Sequence, residues 1–443
     1  MAVSSEVRSP GLLRTIFLSS SALLLVITVV ASPKEAFDAS IQGLDIWWKI
    51  VFPALLPFLM LSQMLTAFGF THAIGVLLEP LMRRLFKLPG NTGFALAVGM
   101  CGGFPAAADA VSRLIQDKQI TTRQAVIAAA AAHFANPMMI LLVVGAAFLH
   151  QPAAGYFLLI IHWTSGWIAA AAAIRLLPAL RKEQSLSSDI TSPNKIVRSQ
   201  TQSQASKMEN DPSSSILSSP NARLASRMLH AAREAHNRDA RSFGKLLGDT
   251  VSQAVQTLML TGGYMIVFAV FIRLLSLYLT PGISTGFWPS ILELHLGAYH
   301  LSKTLLAPAI LMALLAALLG WGGVCSHLQV FSILKTALPK GQSMLYFVIV
   351  RLGHGLTAFC LTLLLWKPFS HYSTEAWAAW AADTAAPTAP LLLRPILHLP
   401  DTANTLHVTW VIFPVAVIGL AVLLGVMISL SGLTLWMNRL FSR

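Results

Sequence analysis

Two short polar motifs interrupt long apolar stretches of the chain. The first, Ala132-His133-Phe134-Ala135-Asn136-Pro137, sets His133 and Asn136 three residues apart, on neighbouring positions of one helical face. Pro137 has no N–H, so the carbonyl of His133 loses its helical donor and becomes a free acceptor. An imidazole, a carboxamide and a bare carbonyl together make a surface for a polar solute. The second motif, Arg351-Leu352-Gly353-His354-Gly355, repeats the spacing with a guanidinium and an imidazole, which suits an anionic or hydrogen-bond-rich solute. Each has a plainer alternative. A lone histidine is an ordinary satisfied core residue, and an arginine in an apolar span can snorkel or bind a carbonyl. His327, in Ser326-His327-Leu328-Gln329, adds a third imidazole. Asp109 is a costly carboxylate in an apolar stretch and a candidate for function, but Arg113 lies four residues on, the spacing of a helical ion pair. Both readings of Asp109 stand.

A glycine pair precedes each motif. Gly102-Gly103 lies in Gly99-Met100-Cys101-Gly102-Gly103-Phe104-Pro105, and Gly322-Gly323 in Gly320-Trp321-Gly322-Gly323-Val324-Cys325-Ser326. At an offset of 220 the pairs superpose, as do Ser112 with Ser332 and Leu114 with Leu334; at 218, Arg351 and His354 take the places of His133 and Asn136. Paired glycines permit a tight reversal and leave main-chain N–H and C=O groups uncovered. Inside a bilayer such backbone must find partners in protein or in a water-filled cavity, because lipid offers none. The pairs therefore read as cavity lining, with close helix packing through small residues as the alternative.

The elements that must position these groups are membrane spans. Of 443 residues, 55% are hydrophobic and 11% charged, with a mean hydropathy of +0.66, against about 25% charged in soluble domains. Apolar runs suited to crossing a ~30 Å hydrocarbon core fall at 15–31, 49–70, 125–149, 153–177, 251–279, 345–365 and 408–436. Two more, 93–115 and 305–334, are broken by the glycine pairs and are expected as re-entrant hairpins. The expected fold class is an all-α polytopic membrane protein with about seven transmembrane helices plus two glycine-broken re-entrant hairpins in inverted repeats. An odd number of crossings between the copies inverts the second.

The net charge of +13 sorts along this topology. With the N terminus inside, 22 Lys and Arg face the cytoplasm and 7 the outside, the bias of the positive-inside rule. Basic residues at membrane boundaries make no nucleic-acid surface, so no nucleic-acid partner is expected. The chain divides into an N-terminal transmembrane helix (1–32), a first membrane half (33–180), a cytoplasmic linker (181–241), a second half (242–367) and a loop with a C-terminal span (368–443). Val29-Val30-Ala31 resembles a cleavage site, which keeps a signal peptide as the alternative to an N-terminal anchor. The linker carries ten basic and six acidic residues, with a basic helix expected at 221–237. That helix would rest on anionic lipid headgroups or, alternatively, dock specifically.

Catalysis lacks its residues. Cys101, Cys325 and Cys360 have no CxxC or zinc spacing, and no HExxH, GxSxG or GxxxxGK[ST] occurs, so no metal, cofactor or catalytic group is expected. Ser165 near His162 is a weak arrangement that reads as structural.

The ordered set Pro33-Lys34-Glu35-Ala36-Phe37, Gly43-Leu44-Asp45-Ile46-Trp47-Trp48, Phe52-Pro53-Ala54-Leu55-Leu56-Pro57-Phe58 and GVLLEPLMRRLFKLPG from Gly75 to Gly90 resembles the YlbJ family of sporulation integral membrane proteins. Gly103-Phe104-Pro105-Ala106, Asn136-Pro137, Ser326-His327 and Arg351-Leu352-Gly353-His354-Gly355-Leu356 continue the likeness into both halves. This resemblance, which extends to the wider nucleoside-recognition or Gate group, implies a multi-pass cell-membrane protein of a spore former, needed for the spore cortex. The Gate relationship implies similarity to concentrative nucleoside transporters, whose hairpin tips bind solute. Two functions follow as expectations. One is a permease for a small polar or anionic solute, nucleoside-like by resemblance, lined by both glycine pairs, Asp109, His133, Asn136, His327, Arg351 and His354. The other is a non-transporting scaffold for spore-envelope assembly. Oligomerisation is compatible with either.

Overall fold

In a computed structural model, residues 12–176, 224–281, 286–338 and 344–372 are described, and their regular structure is helical throughout. The first half runs α1 (Leu12–Ala31), α2 (Pro33–Ile46), α3 (Phe52–Ala67), α4 (Phe70–Arg84), α5 (Thr92–Gly102), α6 (Phe104–Gln116), α7 (Thr122–Ala131), a π-helix (Met139–Phe148) and α8 (Pro152–Leu176). The described chain continues with α9 (Leu224–Asp239), α10 (Phe243–Tyr278), α11 (Phe287–Leu292), α12 (Leu294–Ser302), α13 (Pro308–Trp321), α14 (Gly323–Leu334) and α15 (Leu345–Tyr372).

Among the described residues, five helical segments are long and apolar enough to cross a bilayer: Pro33–Ala67, Pro152–Leu176, Phe243–Tyr278, Pro308–Leu334 and Leu345–Ser370. The protein is a multi-pass, all-α membrane protein. Its outer faces carry Met259, Val267, Leu352, Leu356 and Leu364, whose exposure suits lipid. The interior is built from small residues, with Ala125 and Ala128 to Ala132 all buried, so that backbones approach closely. The span expected from residue 49 begins at Pro33, because a π turn at Trp47–Val51 joins α2 to α3 into one 35-residue rod. The Trp47 ring lies over Gly262 and its Nε1 donates to the Leu258 carbonyl at 2.9 Å. The expected span 408–436 lies outside the described residues.

Both glycine pairs interrupt helices, with different outcomes. At Gly103, φ 89° and ψ 178°, the chain reverses, and α5 and α6 fold back on each other. A Cβ placed on Gly99 would lie 3.1 Å from the Cβ of Ala107, whereas eight residues of continuous helix span about 12 Å. Gly322 and Gly323, at φ 85° and 80°, break the second copy. Its arms diverge: α13 packs on α15, α8 and α12, while α14 lies against α6.

The expected linker helix forms as α9 and packs on protein. Arg227 Nη2 reaches Glu79 at 2.5 Å, His236 meets the Phe68 ring, and Gly69 (φ 80°) abuts the backbone of Ala232 where a Cβ would collide. The bare face at Gly69 is what lets α9 seat against the start of α4.

Candidate solute-binding site

A cavity of about 2090 Å³ lies between the halves. Its walls come from α3, α4, the α5–α6 hairpin, α9, α10, the start of α12 and the start of α14. Glu79, Arg83, Arg113 and Arg238 line its rim, on the side of the basic turns. At this rim Arg241 bonds both Asp239 and Asp249, and the Arg241 hydrogen bond holds the Asp239 carboxyl below its usual value. His72, stacked on Phe94, is held below the ordinary imidazole value by burial and then by nearby Arg238.

At the deep end, the expected span 125–149 is not one helix. It unwinds after α7 and restarts at Asn136-Pro137. The cause is local: Pro137 cannot donate, and the Asn136 Oδ1 accepts the Met138 N–H at 2.8 Å, acting as cap for the next helix. His162 Nε2, from α8, accepts the Ala135 N–H at 2.9 Å and steadies the unwound strand. This strand meets both glycine breaks. Asn136 Nδ2 donates to the Gly102 carbonyl at 3.4 Å, and a Cβ on Gly103 would lie 3.2 Å from Asn136. On the other side, His133 Nε2 is 3.3 Å from Ser326 Oγ. Ser326 Oγ donates to the Gly323 carbonyl at 3.0 Å, so His133 Nε2 carries the proton toward Ser326. His133 is buried, stacked on Phe104 and edge-on to Phe347 and His327.

Arg351 and His354 do not open on the cavity. Arg351, 1% exposed, donates from Nη1 to the Ala130 carbonyl at 3.4 Å, and from Nη2 to the Gly320 carbonyl and to His354 Nδ1, the latter at 2.5 Å. With Nδ1 accepting, His354 Nε2 donates to the His162 carbonyl at 2.8 Å. Ala130 and Gly320 lie in the last turns of α7 and α13, where carbonyls have no helical donors. Each such terminus carries roughly −0.5 elementary charge, so two offset about one guanidinium. The arginine clamps two helix ends from opposite halves.

Of the residues expected at a site, Gly102, Gly103, Asp109, Asn136 and Gly322 line the cavity. His133, Gly323, His327, Arg351 and His354 form the packed layer behind it. Asp109 pairs with Arg113 at 2.7 Å and is half-exposed, 53% at its side chain, so it is hydrated and incurs little burial cost. The cavity wall also includes Ser62, Glu293, His295, Ser326 and Gln329, which residue-type reasoning did not select. Glu293 and His295 stood in Leu292-Glu293-Leu294-His295-Leu296, where a carboxylate amid leucines was the available signal.

Residues 48–152, which contain the first hairpin and the unwound strand, match the nucleoside-recognition (Gate) domain family. The sporulation integral membrane protein YlbJ of Bacillus subtilis (strain 168) is 34% identical over 377 residues, covering 80% of this chain and 84% of that protein. The chain belongs to the YlbJ family. No solved structure matches it. This family is one of integral membrane proteins. The Gate match ends at the first residue of α8, so the YlbJ likeness alone carries the family into the second half.

Proposed function

We propose that this YlbJ-family protein moves a small polar solute across a membrane of the sporulating cell by alternating access, in support of spore cortex or envelope formation. One observation carries the reading. The N-termini of α6 and α14, from opposite halves, both abut the unwound strand at the deep end of the cavity, Phe104 stacked on His133 and Gly322 beside its Nε2, and neither is capped by a side chain. The first N–H groups of a helix have no internal partners and attract negative charge or acceptor oxygens. Two such termini on one cavity, with Asn136 and Ser326 beside them, suit a solute bearing anionic or acceptor groups. Discontinuous helices of repeated halves commonly hold solute in this manner near the membrane midplane. The Gate likeness is a reason to test nucleosides first.

Uptake and efflux by the purified full chain in proteoliposomes, across nucleosides and small anionic metabolites, tests the proposal. Flux of at least one solute above that of empty vesicles is expected. Absence of flux for every solute under either gradient direction leaves the scaffold reading instead.

A further inference from the structure

Among the described residues, Glu293 is the one buried carboxylate, 2% exposed, and it lines the cavity wall. Its oxygens are both engaged. Oε1 meets His295 Nδ1 at 2.8 Å, and Oε2 accepts the Leu296 N–H at 2.7 Å, capping α12. His295 is likewise buried and lines the same wall. Packed against α12, the helices α11 and α13 and the π-helix carry no titratable side chain; α14 brings Cys325 and His327, and α10 carries Lys245, Asp249, Tyr264, Arg273 and Tyr278 along its length. Tyr299 and His300 complete the titratable groups of α12 itself. Among the described residues no third His, Cys, Asp or Glu joins the pair to hold a metal ion.

Position ties the pair to the part that must move. A Cβ on Gly323 would lie 3.1 Å from the Leu292 carbonyl oxygen and the Leu294 nitrogen, and 3.3 Å from Glu293 Cα. The second glycine break therefore rests on the backbone that carries the carboxylate. Any shift at the start of α12 is felt where α13 ends and α14 begins.

We propose that Glu293, paired with His295 against the second glycine break, is a proton-binding site that couples proton uptake from the cavity to movement of that break. This rests on the transport reading above. A proton arriving from solution bonds to Oε1 and puts two hydrogens between Oε1 and Nδ1. The Glu293–His295 bond then breaks, or the imidazole releases its Nδ1 proton, takes one at Nε2 and accepts from Oε1. Either way the carboxylate loses its charge beside the N-terminus of α12, which weakens the cap that holds this end in place.

Protons alone serve as the probe. In the full chain with Cys101, Cys325 and Cys360 replaced by alanine, a Gln253→Cys reporter on the cavity wall is alkylated by a membrane-impermeant maleimide between about pH 5 and about pH 8. Dividing by the rate of an exposed Arg233→Cys reporter removes the thiol's own titration. The normalised rate is expected to change about threefold or more across this range, to become flat in Glu293→Gln, and to titrate again in Glu293→Asp. If Glu293→Gln fails to run as a monodisperse species, His295→Gln, which keeps the carboxylate, must shift the midpoint. A flat parent response, or a Gln variant that titrates like its parent, overturns the proposal. Solute flux with a flat response sinks the proton site and leaves transport standing; a pH response without flux for any solute does the reverse.

Discussion

Replacing Arg351 by methionine, which keeps most of the length and volume but no donor, tests whether the arginine is a structural clamp. The substitution strands the Gly320 carbonyl and His354 Nδ1, and removes the longer bond to the Ala130 carbonyl. A buried acceptor left without a partner costs about 1–3 kcal/mol. Two strong contacts and one weak one give about 4 kcal/mol, or about three orders of magnitude in the unfolding equilibrium. The opposing effect is removal of a buried charge, which can leave a protein unchanged or more stable when the charge was poorly compensated. Those two outcomes differ in sign. Unfolding of the full chain in mixed micelles by SDS titration measures the difference. Loss of about 3–5 kcal/mol is expected, with Arg351→Lys recovering at most half because an ammonium cannot fork to acceptors on two helix ends. A Met variant as stable as the parent refutes the compensation of the guanidinium by the α7 and α13 termini.

At the breaks themselves, Gly322→Ala forces a side chain into φ 85°, with its Cβ 2.8 Å from Ser326 Oγ and 3.0 Å from His133 Nε2. A loss of about 2 kcal/mol in the same titration is expected. Gly353→Ala in α15, which meets nothing within 4 Å, serves as the unchanged control; equal stability of the two variants contradicts the strained break. Glu79→Arg removes the ion pairs of Glu79 with Arg227 and with Arg83 and sets like charges together. Protease cleavage within α9 should then accelerate modestly, in line with a surface pair worth about 0.2–1 kcal/mol. The double swap Glu79→Arg with Arg227→Glu should recover only part of the parental rate, because Arg83 still faces a like charge at position 79; no change in either variant means α9 is held by other contacts.

Much of the architecture was legible because it rests on local chemistry. Apolar runs marked the long helices α3, α8, α10 and α15 but not the unwinding inside 125–149, and the glycine pairs marked both breaks, since a positive φ is hard to build with any other residue. Asn136-Pro137 signalled a free carbonyl, and the unwound strand formed there. Other outcomes were decided by tertiary partners that spacing does not encode. Arg351 and His354 had the residue types of a solute site, yet helix ends from two separate segments, Ala130 and Gly320, converge on the guanidinium and take it out of the cavity. Only the meeting of those termini distinguishes a clamp from a ligand. Glu293 carried no motif, because its significance lies in the packing of Gly323 on its backbone, 30 residues away in sequence. The linker helix formed near its expected place, but its seat on α4 depended on the bare surface of Gly69.

The central claim is that solute sits where the N-termini of α6 and α14 meet, beside Asn136. An experimental structure of the full chain in lipid nanodiscs, with whichever solute the proteoliposome panel identifies, tests this most directly. Solute density is expected within hydrogen-bond distance of the backbone N–H groups that open α6 and α14, bridging the two halves at the glycine breaks. Density for the solute elsewhere in the protein, with that junction occupied only by solvent or packed side chains, contradicts it.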